Sequence, residues 1–495
     1  MTPSDAPHHA VIDIGSNSVR LVVYDRLSRA PFPRFNEKSL CGLGRDLAQT
    51  GELSREAMDH ALLALRRFVA IASAMEVEGI DILATEAVRR AANGTAFIGE
   101  VRRITGLDPH ILDGSEEALY AAMGVLAGLW RPRGAVGDMG GGSLELALVD
   151  GGRVLDERVS LPLGALPVTG MLERGGMAAR HEVDGLLRGH LPAFAGQKVF
   201  HLVGGGWRAL ARVHMHAVDA PVRVAHGYEA EARQMRHFAM KLWRMEPSRM
   251  RTLPGVPPRR ASTLAAAALV LDRVLRALRP ERVVVSALGL REGWLFNRLD
   301  AAEQALDPLL EGARAVGVPR ARVAGFSDAL IRWTDGLLDG ETETGRRLRQ
   351  AACRLSDIAW ADHVDVQARD SFERLLTFPF IGLDHPQRVW LAAVIHARYG
   401  GRPKKDPVLH PAIGLLTPSQ RRSALILGRA MLLAHRFSGS VPGILDASHL
   451  AIGADEVVLH VDHPTTIPDS DAVRARLKRL ARAVGTRRFR IAGSS

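Results

Sequence analysis

The hydrophobic positions of the chain contain two near-copies of one pattern. Residues 11–25 read VIDIGSNSVRLVVYD and residues 135–150 read AVGDMGGGSLELALVD. In each copy an apolar run leads to an aspartate, a turn of Gly, Ser or Asn comes next, and a second apolar run begins. Turn residues between two β-rich runs predict a β-hairpin. At a shift of 125 positions Asp13 falls on Asp138, Gly15 on Gly140, Ser18 on Ser143, Leu21 on Leu146 and Asp25 on Asp150.

The elements after each hairpin also repeat. After the first, the pattern predicts a helix over 54–75, a strand over 80–84, a helix from Glu86, a strand over 110–112 and a helix from Ser115. After the second it predicts a strand over 199–203, the turn Gly204-Gly205-Gly206 and a helix from Trp207. A helix over 261–278, a strand over 283–285 and a helix from about Arg291 complete that half. Two similar α/β halves, each opened by a hairpin, predict a cleft with two glycine turns facing across it. From about Ala305 to Arg436 the periodicity is helical. Beyond the Gly/Pro/Ser break at 438–443, strands over 457–461 and 489–492 flank a basic helix over 471–483. The expected divisions are 1–133, 134–304, 305–437 and 438–495.

Composition narrows the class. A chain of 495 residues exceeds a single core, and 47% hydrophobic with 24% charged residues is ordinary for a globular protein. The longest apolar run, 118–130, is 13 residues, short of the ~18 that span a membrane, so it reads as a buried helix. Residues 1–9 lack the basic start and apolar centre of a signal peptide, and a cytoplasmic location is expected. Two distant cysteines, Cys41 and Cys353, imply neither a disulfide framework nor a cysteine-based zinc site. The net charge of +11 favours polyanionic partners, with no membrane and no specific nucleic acid among them. Residues 1–304 hold 38 basic and 34 acidic side chains, whereas 401–495 hold 15 and 7.

The turns carry the chemistry. Asp13 stands just before Gly15-Ser16-Asn17-Ser18. A carboxylate there can hold a divalent cation while turn N–H groups and hydroxyls cradle phosphate. Asp138 and Glu145 flank Gly140-Gly141-Gly142-Ser143 on opposite arms of the second hairpin, so both can address one ligand. Three successive glycines are costly in conformational entropy, which points to a ligand lying against the backbone, and two carboxylates beside it suggest Mg²⁺. Ser115-Glu116-Glu117 opens a helix expected to face this cleft, and Arg89 begins the preceding helix, where it could neutralise phosphate.

The segments IDIGSNSVRLVV, LATEAVRRAANG, LDGSEEALYAAMGV, GDMGGGSLELALV, HLVGGGWRALA and SALGLREGWL resemble, in order, the motifs of the exopolyphosphatase / guanosine-pentaphosphatase family, over residues 11–295. The resemblance implies the actin-like ATPase superfamily: two duplicated actin-like (ribonuclease H-like) α/β domains, an all-helical HD-like domain and a small C-terminal α/β tail. It implies that Glu117 is the general base, with Glu116 its less favoured neighbour, and that Asp138 and Glu145, assisted by Asp13, bind or orient Mg²⁺ and water. Arg89 matches an arginine that grips phosphate. Gly15–Ser18 and Gly140–Ser143 match the two phosphate turns, and Gly204–Gly206, with Gly205 and Gly206 at its end, a third. The implied substrates are inorganic polyphosphate or guanosine pentaphosphate, and the implied assembly is a homodimer. Trp207 stands where small residues are usual and is expected to narrow any nucleotide pocket. Leu355-Ser356-Asp357 stands where a His-Asp pair would be sought, and His363, His385, His396 and His410 lack a rescuing spacing, so no second metal centre is expected. The rival readings are an acetate- or sugar-kinase-like phosphotransferase and a non-catalytic alarmone-binding protein.

Overall fold

A computed structural model describes residues 8–256, 261–402, 409–453, 455–462 and 470–493. Residues 1–7 lie outside the described residues, as do Lys404 and Lys405 of the basic C-terminal region. The first sheet contains β1 (His8–Ile14), β2 (Val19–Tyr24), β3 (Pro33–Ser39), β4 (Val77–Ala84) and β5 (His110–Ile111). The second contains β6 (Arg133–Met139), β7 (Leu144–Asp150), β8 (Arg153–Leu161), β9 (Val199–Val203), β10 (Glu229–Glu231) and β11 (Arg282–Val285). Their orders are β3-β2-β1-β4-β5 and β10-β11-β9-β6-β7-β8. Read from the hairpin edge and without β10, the two sheets have the same order and the same strand directions. The repeat in sequence is therefore a repeat in topology.

Strands β1 and β6 are nearly continuous apolar runs because both of their faces are covered. One cluster, including Ile12, Ile14, Phe68, Ile82 and Phe97, fills the first half, and a larger one around Leu146, Phe200, Trp207, Leu269 and Val283 fills the second. Local signals set the helix starts. Ser54 accepts from the Ala57 N–H ahead of the helix Arg55–Ala74, and Asp113 caps the helix Gly114–Gly128. That helix crosses the helix Leu290–Asn297 backbone to backbone. A Cβ on Gly293 would come within 1.8 Å of the Tyr120 carbonyl oxygen, and one on Gly124 within 2.2 Å of the Gly289 carbonyl oxygen. The crossing brings the start of each helix to the ends of β1 and β6.

Residues Met1–Pro308 form one compact unit and Leu309–Ser495 another. The second unit is helical up to Asp446 and ends in a three-stranded sheet of β12 (Ser448–Ile452), β13 (Glu456–Val461) and β14 (Arg488–Gly493), in that order. Its helix Asp471–Val484 buries Val473, Leu477, Leu480 and Ala481 and packs along the helix Pro418–Ser438. Asp357 is buried and held by Arg322 at 2.9 Å and Arg398 at 3.4 Å. Cys41 and Cys353 are both free and buried. No helix among the described residues is long and apolar enough to cross a membrane.

Candidate active site

The two hairpins close with the same bond. Gly15 N–H donates to the Ser18 carbonyl, and Gly140 N–H to the Ser143 carbonyl, each at 3.0 Å. Behind the first turn, the N–H groups of Gly44 and Gly42 donate to the carbonyls of Ser16 (2.6 Å) and Asn17 (3.2 Å). Behind the second, those of Ala165, Leu166 and Gly164 donate to Gly140 (3.1 Å), Gly141 (2.8 Å) and Gly142 (3.1 Å). A trans peptide sets N–H opposite C=O. Anchoring these carbonyls in the protein therefore turns the N–H groups of Asn17, Ser18, Gly141, Gly142 and Ser143 away from it. None of the five donates to a protein acceptor among the described residues. The result is a pair of backbone anion nests, one from each half.

The turns meet across a cleft of about 180 Å³. A Cβ on Gly141 would lie 3.1 Å from the Ser16 Cβ, and one on Gly142 would lie 1.8 Å from Glu86 Oε2. Sequence reasoning assigns the glycine run to a ligand pressed against the backbone; at Gly141 and Gly142 an added side chain would also crowd Ser16 and Glu86 of the opposite half.

The carboxylates sort by their partners. Glu116 completes a capping box, its side chain accepting from Asp113 N–H at 2.9 Å while Asp113 accepts from Glu116 N–H at 2.8 Å. Glu117, one residue on, is buried and lines the cleft. Burial pushes its carboxyl up to about 7, against the pull of Arg89 and with the help of Glu86 and Asp13. Asp138 and Glu145 are direct cross-strand partners on β6 and β7, so their side chains leave the same face. Burial raises Asp138 to about 6, opposed by Arg208 and reinforced by Asp13. Glu145 is pushed well above the usual carboxylate range by burial and by the charges of Glu117 and Asp138, although Ser160 Oγ donates to it at 2.9 Å. In the first hairpin the same register sets Asp13 opposite Arg20. The duplicated position carries a cation in one half and an anion in the other.

Other expected residues are placed differently. Asp13 lines the cleft, but its Oδ2 accepts from Arg291 at 2.8 Å. Arg89 binds Glu117 and the Leu112 carbonyl at the edge of the site, and is not among the cleft-lining side chains. Of the third turn, Gly204 and Gly205 face the cleft. Gly206 does not, because the helix Gly205–Ala217 starts two residues earlier than predicted and turns Gly206 toward Ala267. Trp207 does not narrow the pocket either. It is fully buried on Phe200 and donates to the Ala267 carbonyl at 3.0 Å, in space left by Gly137.

The lining side chains that sequence reasoning missed include Glu86, Arg208 and Arg291. Arg208 is half-buried, and desolvation lowers it to about 10; it donates to the Ala287 carbonyl. Arg291 is held above its usual range, since Glu292 and Asp13 outweigh the cost of burial. Both arginines come closely after a glycine that faces the cleft, Gly204 or Gly289, and that was the available signal.

Two like α/β halves, each presenting a hairpin turn to a shared phosphate-sized cleft, define an enzyme of the actin-like ATPase fold. The chain matches the model of the Ppx/GppA phosphatase family over residues 9–302 and that of the exopolyphosphatase C-terminal region over 309–491. It belongs to the Ppx/GppA phosphatase family, and is a hydrolase of phosphoric anhydrides. It is 28% identical over 310 residues to exopolyphosphatase 1 of Mycobacterium leprae, which covers 59% of this chain and 89% of that protein. The Mycobacterium tuberculosis protein of the same name is 29% identical, covering 59% and 88%. The Ppx/GppA family member of Aquifex aeolicus superposes with a TM-score of 0.51 at 26% identity, over 58% of this chain and 96% of that one. An exopolyphosphatase from Cytophaga hutchinsonii shares the fold, with a TM-score of 0.52 at 22% identity, over 59% and 97%.

Proposed function

We propose that the protein removes terminal phosphates from inorganic polyphosphate by attack of water, and that it accepts the 5′-γ phosphate of guanosine pentaphosphate through the same site. The observation that carries this reading is the pair of opposed nests beside Glu117, a buried carboxyl raised to about 7. The relatives named exopolyphosphatase 1 support polyphosphate as the substrate. The terminal phosphoryl group would lie between the turns, where the N–H groups of Gly141, Gly142 and Ser143 and the guanidinium groups of Arg208 and Arg291 meet charge developing on its oxygens. Glu117 would take the proton from water, and a base with a pKa near neutrality suits that work. Arg89 holds the Glu117 carboxylate in place.

The residues fit Mg²⁺. No group of three Asp, Glu, His or Cys among the described residues converges into a complete cage, but Mg²⁺ ordinarily takes one or two carboxylates together with substrate oxygens and water. Asp138 and Glu145, adjacent and raised by burial, are such a pair, with Asp13 beside them. When bound, the cation neutralises charge on the phosphate chain.

The test is phosphate release from short polyphosphate, long polyphosphate and guanosine pentaphosphate without an acceptor, in Mg²⁺ and in EDTA. Release from polyphosphate in Mg²⁺ alone is expected. Transfer only to an added organic acceptor would make the protein a phosphotransferase, and full activity in EDTA would remove the cation.

A further inference from the structure

Glu86 opens the short helix Glu86–Arg90 and touches both phosphate turns. It is buried. Its Oε2 accepts from Ser16 Oγ in the first turn at 3.2 Å, and the same oxygen lies against Gly142 in the second. Its Oε1 accepts from Arg90 at 2.6 Å, and the Arg90 side chain is 53% exposed. One carboxylate oxygen thus sits between the turns and the other leads out to solvent. Beyond the charge by which it helps raise Glu117, the water-attack mechanism gives a carboxylate there no task. It occupies the Ser16 hydroxyl, a group that could donate to phosphate, and adds a negative charge where a polyanion must enter.

We propose that Glu86 is a built-in competitor for substrate phosphate. In the substrate-free protein its carboxylate engages the Ser16 hydroxyl and fastens the two turns together. An arriving phosphoryl oxygen takes over that hydroxyl, and Glu86 withdraws on its Arg90 tether. The residue sets how tightly the cleft holds phosphate, and so both substrate affinity and the ease of product release. It acts through Ser16 and is a positioning residue. The mechanism rests on the reading that the terminal phosphate lies between the turns.

The test compares the full-length protein with Glu86→Gln and Glu86→Ala in two assays. The first is binding of inorganic phosphate by calorimetry, which is independent of the natural substrate. The second is the separation of KM from kcat on polyphosphate. Removing a competing charge at hydrogen-bond range is expected to tighten phosphate and lower KM by about tenfold for Ala and less for Gln. In a Ser16→Ala background the same Glu86 substitution should tighten phosphate far less, because the shared hydroxyl is gone. Unchanged or weaker phosphate binding in Glu86→Ala, with Glu86→Gln folded and behaving alike, overturns the proposal. So does a raised Mg²⁺ requirement, which would make Glu86 a cation ligand. If the wild type releases nothing from polyphosphate the substrate reading fails, while the phosphate titration still decides the role of Glu86.

Discussion

Glu116 and Glu117 adjoin on one helix turn, yet capping commits the first to Asp113 while the second faces the cleft. Glu117→Gln should therefore remove the acidic limb of the pH–kcat/KM profile, which in the wild type rises through about pH 7 as Glu117 loses its proton. Glu116→Gln should leave that limb in place and cost about 1 kcal/mol of stability through the weakened cap, read by urea melts. The raised carboxyls also fix a sign for stability. Glu117 and Asp138 bind protons more tightly when folded, so their contribution is fully present below the unfolded carboxylate pKa near 4 and is lost as pH rises through about 6 to 7. Glu145→Gln removes a third buried charge from the cluster. In EDTA at pH 8 it is expected to melt roughly 2–4 °C above the wild type while losing ~10²-fold or more in turnover. A lower melting temperature at pH 8 would mean that the Glu145 carboxylate is compensated in the folded protein without a cation.

At the scale of elements, the hairpins, the helix starts at Ser54 and, to within one residue, at Ser115, and the position of Glu117 were legible because each is written in a short stretch of consecutive residues. The cross-strand pairing of Asp138 with Glu145 follows from the turn length. Contacts between distant segments were not legible. Asp13 meets Arg291 across 278 positions, and Ser16 meets Glu86 across 70, so no local pattern announces either. The neighbours of Gly141 and Gly142 were not legible for the same reason, since they lie on another element. Gly204 shows the consequence. It has φ +93°, and a Cβ there would lie 2.4 Å from the Met139 carbonyl oxygen and 2.7 Å from Asp138 Oδ1. Gly204→Ala should cost about 2–3 kcal/mol and displace the Asp138 carboxylate, lowering turnover as well as stability. Wild-type kcat in a folded Gly204→Ala variant would show that the position of Asp138 is not set by this turn.

For the whole molecule, the charge excess lies in the second unit while the phosphate turns lie in the first. Arg474, Lys478 and Arg482 recur at i, i+4 and are exposed on the helix Asp471–Val484. A cationic row can hold the body of a long polyanion. Reversing the three charges should leave cleavage of short chains unchanged and release intermediates from long polyphosphate. It should also flatten the salt dependence of binding by about one unit of slope for each phosphate that the row no longer neutralises. Unaltered processivity and slope would make the row a solvated surface. The central claim, that two nests hold a terminal phosphate while Glu117 activates water against it, is tested most directly by single-turnover phosphate release from polyphosphate by Glu117→Gln, with polyphosphate binding measured on the same protein. Release slowed ~10²–10⁴-fold with binding retained is the predicted result. Near-normal release by Glu117→Gln would contradict it.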